Sequence, residues 1–255
     1  MNSLVILKQT FDTEEKISIQ NGKLQEDGIE FIINPYDEYA VEEAIKLKEE
    51  FGGEVTVITI GPSRAENALR TALAMGADKG VILDDESLSG DEYTISKVLA
   101  TVIQDRPYDI ILAGNMSIDS GSGQVGPRLA EGLGIPHVSS ITKLDIEGSK
   151  ATIVRDVEGD SETIEVSLPV LVTAQQGLNE PRYPSLPGIM KAKKKPMERF
   201  STDDLNINLE EVKTKTDIID QFLPPKKDAG RVLSGEFSDQ VKELVQLLHN
   251  EAKVI

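Results

Sequence analysis

The chain has no cysteine and no tryptophan, and its only two histidines, His137 and His249, stand far apart. The lack of cysteine excludes a disulfide framework, a thiolate metal site and a cysteine nucleophile. Two distant histidines give no ligand pair at helical spacing, so no metal site is expected. Basic residues are also scarce: 27 Lys and Arg face 44 Asp and Glu, a formal net charge of −17. That balance favours solubility and argues against wholesale binding to nucleic acid or to an anionic membrane. No segment approaches the roughly 20 apolar residues of a membrane span, so direct membrane insertion is not expected. The first residues carry no basic stretch followed by a long apolar run, and no signal peptide is expected. The default location is cytoplasmic, or a mitochondrial matrix after processing. There is no G-x-S-x-G elbow and no other nucleophile–base constellation, so no catalytic residues are assigned.

Over the first two-thirds of the 255 residues, short β-rich runs alternate with helical periodicity. Leu4 to Leu7, Val55 to Ile60, Gly80 to Leu83 and Asp109 to Ala113 read as buried strands. Between them, Glu38 to Phe51 places Ala40, Val41, Ala44, Ile45 and Leu47 at helical spacing, with a Glu42–Lys46 pair on the outer side and Gly52-Gly53 as the stop. Ser63 and Glu66 fit a capping box for the next helix. Asp91 to Gln104 and Val125 to Leu133 complete the set. Such alternation predicts a mostly parallel, doubly wound α/β sheet covered on both faces. The pattern then changes to a small antiparallel hairpin segment, Ile141 to Ile146 and Ala151 to Val157 about Glu147-Gly148-Ser149-Lys150, with a third strand at Ser161 to Val166. Pro169 to Ala174 returns to a buried strand. From Gln175 sheet character is lost: Pro181, Pro184 and Pro187 fall within seven positions, and a last amphipathic helix runs from about Ser238 to Asn250. The expected division is a nucleotide-binding α/β domain at 1–177, a recognition loop and basic segment at 178–200, and an extended C-terminal arm at 201–255.

Two segments offer ligand chemistry. Between the fourth strand and its helix lies Asp119-Ser-Gly-Ser-Gly-Gln-Val-Gly126. Gly121, Gly123 and Gly126 let backbone approach a ligand closely, and the helix start presents free N–H groups suited to phosphate; the alternative is a plain βα turn. The spacing matches G-x-G-x-x-G, but seven residues after Gly114 and on the fourth strand, which departs from a dinucleotide fingerprint. Asn34-Pro35-Tyr36-Asp37 precedes the first long helix, where Asp37 either caps it or closes over an adenine or ribose at the sheet's carboxyl edge. A third segment, Lys191-Ala-Lys-Lys-Lys195, is either a solvated face or a docking patch anchored by Leu186, Ile189 and Met190.

Leu178-Asn-Glu-Pro-Arg-Tyr-Pro-Ser-Leu-Pro-Gly-Ile-Met-Lys-Ala-Lys-Lys-Lys195 closely resembles the signature of electron-transfer flavoprotein beta subunits. Asn34 to Ala44, Thr71 to Asp78, and Ser117-Ile-Asp119 running into Gln124-Val-Gly126 resemble the same family, in order and over nearly the whole chain. The resemblance implies an adenine-nucleotide-hydrolase-like fold and a heterodimer with a larger alpha subunit that carries most of the FAD contacts. It implies a buried structural AMP held by Ile6, by Asn34, Pro35, Tyr36 and Asp37, by Ile60, and by the loop of Asp119, Gly121, Ser122, Gly123, Gln124, Val125 and Gly126. Some relatives place a second FAD where others hold AMP, and Gln124-Val-Gly-Pro127 resembles those members. Thr13 stands about where several members carry an aromatic residue near the flavin. The family's recognition loop inserts a leucine into its partner; Leu186 takes that place, with Pro187, Ile189, Met190 and Lys191 beside it. The implied role is an electron carrier in fatty acid oxidation, shuttling electrons from flavin dehydrogenases such as acyl-CoA dehydrogenases, with the arm wrapping the alpha subunit.

Overall fold

Short runs rich in β-branched residues build the sheet, and segments with a one-sided helical period between them cover it. The computed structural model describes residues 1–227 and 229–255. Its strands in chain order are β1 (Ser3–Ile6), β2 (Gln9–Phe11), β3 (Ile19–Gln20), β4 (Lys23–Leu24), β5 (Phe31–Ile33), β6 (Val55–Ile60), β7 (Lys79–Leu83), β8 (Ile110–Gly114), β9 (His137–Glu147), β10 (Lys150–Val157), β11 (Asp160–Ser167), β12 (Val170–Ala174) and β13 (Met197–Phe200). The helices are α1 (Pro35–Phe51), α2 (Glu66–Met75), α3 (Glu92–Ile103), α4 (Val125–Leu133), α5 (Leu186–Ala192) and α6 (Phe237–Leu247). Nine strands form one sheet in the order β11-β10-β9-β12-β8-β1-β6-β7-β13. All neighbours from β9 to β13 along that order are parallel, and β10 and β11 extend it as an antiparallel hairpin.

Period-two alternation sorts the strand side chains between two cores. Val5, in register with Val57 and Leu112, faces α1 and α2, where Ala40, Val41, Ala44, Leu69 and Leu73 are buried. Leu4, in register with Ile111, faces α3 and α4, where Val98, Leu99, Val102 and Leu129 close the other side. Burying each of the Val, Leu and Ile side chains among these contributes about 1.5–3 kcal/mol. The expected doubly wound architecture with an antiparallel hairpin is therefore what the chain adopts.

Several local expectations are corrected. The Ser63–Glu66 capping box does not form: Ser63 donates to Asp84 and Glu66 pairs with Arg70 and Arg199, partners only the fold supplies. Lys46 pairs with Glu43 at 2.9 Å, one residue on from its expected partner, because Arg182 occupies Glu42. Sheet character does not end at Gln175, since β13 pairs in parallel with β7 at the sheet edge. β9 also begins at His137, ahead of the expected Ile141.

The described residues form two compact units, one of Met1–Ile17 with Gln25–Ile219, the other of Ser18–Leu24 with Asp220–Ile255. The second holds the β3–β4 hairpin and α6, and Val241, Leu244 and Val245 of that helix are exposed. Among the described residues no helix is long and apolar enough to cross a membrane.

In the first unit, Asp91 joins α3 to the segment after β13. Its carboxylate caps α3 by accepting from the Thr94 amide (3.0 Å) and also accepts from the amides of Lys215 (2.7 Å) and Thr216 (3.0 Å). Burial pushes its pKa up, but these donors outweigh that and hold it at about 2. A depressed carboxylate stabilises the fold at neutral pH, and that stabilisation is lost as pH falls from about 4 through 2. Asp91→Ala should cost about 1 kcal/mol, read as a lower urea midpoint at pH 7. Faster proteolysis should follow at Lys213 and Lys215, whose segment Asp91 holds.

Candidate functional site

β1 is followed by β6 on one side, while the later β8 lies on its other side, so the strand order reverses between β1 and β8. In an open parallel sheet the carboxyl ends of two such strands diverge and leave a crevice. Ile6 and Lys8 stand at the end of β1, Ile60 at the end of β6, and Gly114 to Ile118 at the end of β8. The first turn of α1 reaches across this edge.

Pro35 sets the start of α1, because its fixed φ and missing N–H suit the first helical position. That places Asp37 inside the helix, and it does not act as a cap. Its buried carboxylate instead accepts from the Lys8 amide (2.7 Å) and the Gly114 amide (2.8 Å), tying the ends of the two diverging strands together. Asn34 makes a parallel bridge, donating from Nδ2 to the Met116 carbonyl (2.9 Å) while Oδ1 accepts from the Ile118 amide (3.1 Å). Tyr36 backs Gly114 so closely that a Cβ on Gly114 would lie 2.7 Å from its Cβ and would collide with the Asp37 carboxylate.

Burial pushes the Asp37 pKa up to about 7, against the pull of hydrogen bonds from Lys8, Asn34 and Gly114. A carboxylate raised in this way favours the fold most when protonated, so stability from this group falls as pH rises from about 4 through 7. Asp37→Asn should flatten that slope. It should also cost about 1–3 kcal/mol, because one strand-end amide would then face an NH2 group instead of an acceptor. Urea titrations of both proteins from pH 4.5 to 8 measure the two effects.

The segment after β8 is held by its ends. Lys8 Nζ pairs with Asp119 at 2.7 Å, Ser117 and Ser120 share a hydroxyl contact of 2.9 Å, and the Gly121 amide donates to the Ser117 carbonyl. Burial works against the charge on Asp119, but Lys8 and Ser117 outweigh it and hold the carboxyl below its usual range. Gly121 and Gly123 both adopt left-handed backbone, φ 66° and 62°. A Cβ on Gly126 would stand 2.6 Å from the Thr173 methyl, so only glycine lets α4 begin this close to β12. Gln124 precedes α4 without capping it, and its Oε1 accepts from Arg128 instead. Ser122 and Val125 are part-buried in this loop and Gln124 is exposed. Uncapped first-turn amides behind two left-handed glycines are a surface for an anionic group such as phosphate.

The fold therefore brings the residues expected at one ligand site to one sheet edge. It also brings in residues the sequence did not single out. Asn115 Oδ1 accepts from Ser140 Oγ (2.9 Å) and Thr173 Oγ1 (3.2 Å), and the Asn115 amide donates to the Ala174 carbonyl. Ser140 is itself left-handed, φ 58°, where β9 bulges against β12. The one available signal was Lys8, a charge placed directly after an apolar strand.

The second set of expected residues stands elsewhere, on α5, which packs on α2. Ser185 caps α5 through the Gly188 amide. Leu186 is 79% exposed and Met190 73%, with Ile189, Pro187 and Lys191 also on the surface. Lys195 is separated from the other lysines of its run: its Nζ donates to the Leu73 carbonyl (2.9 Å) and to that of Ala77, satisfying the end of α2.

Comparison with known proteins matches residues 21–205 to the electron transfer flavoprotein domain. The chain is 60% identical over 257 residues, spanning both proteins fully, to the electron transfer flavoprotein subunit beta of Bacillus subtilis (strain 168). It is 36% identical over 260 residues, again the full length of both, to the mitochondrial electron transfer flavoprotein subunit beta of Arabidopsis thaliana. To the caffeyl-CoA reductase-Etf complex subunit CarD of Acetobacterium woodii it is 38% identical over 248 residues, covering 94% of this chain and 95% of the other. A full-length match at this identity, together with a family-model match over most of the chain, leads to one conclusion: the chain belongs to the electron transfer flavoprotein beta-subunit family, a component of an electron carrier.

Proposed function

We propose that this chain pairs with an electron transfer flavoprotein alpha subunit, holds an AMP in the β1–β8 crevice, contributes part of the wall around the alpha subunit's FAD, and docks through α5 onto flavin dehydrogenases such as acyl-CoA dehydrogenases. The observation that carries the nucleotide is the edge itself, where the left-handed Gly123 leads into the uncapped start of α4, opposite the Asn34–Asp37 turn. The phosphate would be held by amides of Gly123 to Gly126, and the nucleoside by Ile6, Ile60 and Asn34 to Asp37, with Asp119 and Gly121 shaping the loop. The FAD supplies the redox chemistry; this chain's residues orient and shield.

Docking is supported by the exposed apolar trio on α5 beside Lys191, an anchor with charge around it. An alpha subunit covering residues 201–255 would account for the bare apolar face of α6 and for exposed Phe222 and Phe237. A bacterial cytoplasm fits the closeness to the Bacillus protein. Co-expression with an alpha subunit tests the proposal. It should yield a yellow heterodimer reduced by an acyl-CoA dehydrogenase, whereas a colourless, stable monomer that turns over ATP would contradict it.

A further inference from the structure

We infer that Arg182 is a positioning residue for docking: by forking two glutamates of α1 it fixes the segment that presents Leu186 to the dehydrogenase. This rests on the docking role proposed for α5. Nε and Nη2 of Arg182 donate to the two carboxylate oxygens of Glu42, each at 2.9 Å. Nη1 and Nη2 donate to Glu49 at 2.6 and 3.0 Å, and the Arg182 amide itself donates to Glu42 at 3.1 Å. Glu42 and Glu49 lie two helical turns apart on one face of α1, which a planar guanidinium can span and a single ammonium cannot. Glu42 is only 5% exposed, and Arg182 supplies every side-chain donor that the described residues give it. Three residues earlier, Asn179 Nδ2 donates to the Tyr39 carbonyl (3.0 Å) and to Glu43 (2.9 Å), so the chain is fastened to α1 twice before it reaches α5.

Beyond α5 the fastening is to α2. Arg70 donates to the Ala192 carbonyl at 2.8 Å, Ala192 is buried, and Gly188 lies so close to the Ala74 carbonyl that a Cβ there would collide with it. Between these two anchorages Tyr183, Leu186 and Met190 project into solvent. A run containing Pro181, Pro184 and Pro187 has no strand ladder to hold it, so side-chain clamps do that work. Charge-assisted, bidentate bonds have the needed strength and direction. A pre-ordered anchor avoids the entropy loss of ordering the segment at each encounter. Releasing the clamp should weaken docking without altering electron transfer once docked.

The test uses the purified heterodimer with an acyl-CoA dehydrogenase as electron donor, measuring KM for the heterodimer, kcat, flavin content and amide exchange over 179–192. Arg182→Ala should raise KM roughly tenfold with kcat and flavin content unchanged, and should speed exchange across 183–190. Arg182→Lys should recover only part of the loss. Should Arg182→Ala fail to assemble, Glu49→Gln removes half of the fork from an exposed partner and should raise KM about threefold. Leu186→Ala, run beside them, separates the two ideas. If Leu186→Ala raises KM while the Arg182 and Glu49 variants leave KM and exchange at wild-type values, the positioning role is overturned and docking stands. If Leu186→Ala changes nothing either, docking through α5 is overturned and the positioning role with it.

Discussion

Replacing Gly123 by valine is expected to empty the adenylate site proposed for the heterodimer. Gly123 sits at φ 62°, where a side chain costs roughly 1–2 kcal/mol and a β-branched one is a genuine outlier. A Cβ there would also lie 3.3 Å from the Asn115 carbonyl, before the valine methyls are added. Asn115 cannot give way easily, because Ser140, Thr173 and Ala174 hold it. The loop must shift, and the amides leading into α4 shift with it. Gly121 is the internal control: it is equally left-handed, φ 66°, yet nothing lies within 4 Å of its Cβ position. Gly121→Ala should therefore cost about 1 kcal/mol of stability and keep most of the nucleotide. Gly123→Val should lose at least nine-tenths of it, which from a nearly filled site takes a fall in affinity of about a hundredfold, roughly 2.8 kcal/mol. Counting adenylate released on denaturation checks both. Full occupancy in Gly123→Val would remove this loop from the ligand wall.

Leu186→Ala is expected, on the proposed docking role, to slow reduction of the heterodimer by flavin dehydrogenases while leaving flavin content intact. Truncating an apolar anchor at the centre of an interface costs on the order of 2 kcal/mol, which is roughly a 30-fold fall in kcat/KM. Leu186 is exposed in this chain, so its loss should leave folding within about 0.5 kcal/mol of wild type. The Ser185 cap and the Arg182 clamp remain in place to hold the backbone of α5. Stopped-flow reduction by two different dehydrogenases is the measurement, and unchanged rates with both would refute docking through α5.

What was legible in the sequence divides along a physical line. The four βα units were readable because each strand and helix repeats its own period locally, and strand burial on both faces leaves uninterrupted apolar runs such as Leu4 to Leu7. The glycine loop was readable for the same reason, since left-handed positions demand glycine locally. β13 was not: Met197–Phe200 is short, polar and paired on one side only, and nothing local distinguishes it from loop. Of the two alternatives open for Asp37 the helix cap does not form, because Pro35 starts the helix and the amides Asp37 accepts from belong to Lys8 and Gly114, far away in sequence. Ser140, Thr173 and Asn115 meet only through the parallel pairing of β12 with β9 and β8. The apolar residues beside the lysine run stood out locally as one of two alternatives, whereas the fastening of the preceding segment to α1 needs Arg182 to meet Glu42, distant in sequence.

Mass identification and counting of every nucleotide released from the purified heterodimer tests the central claim most directly. One FAD and one AMP per heterodimer is the predicted result. Two FAD molecules and no AMP, or no adenine nucleotide beyond the flavin that the larger subunit binds alone, would contradict it.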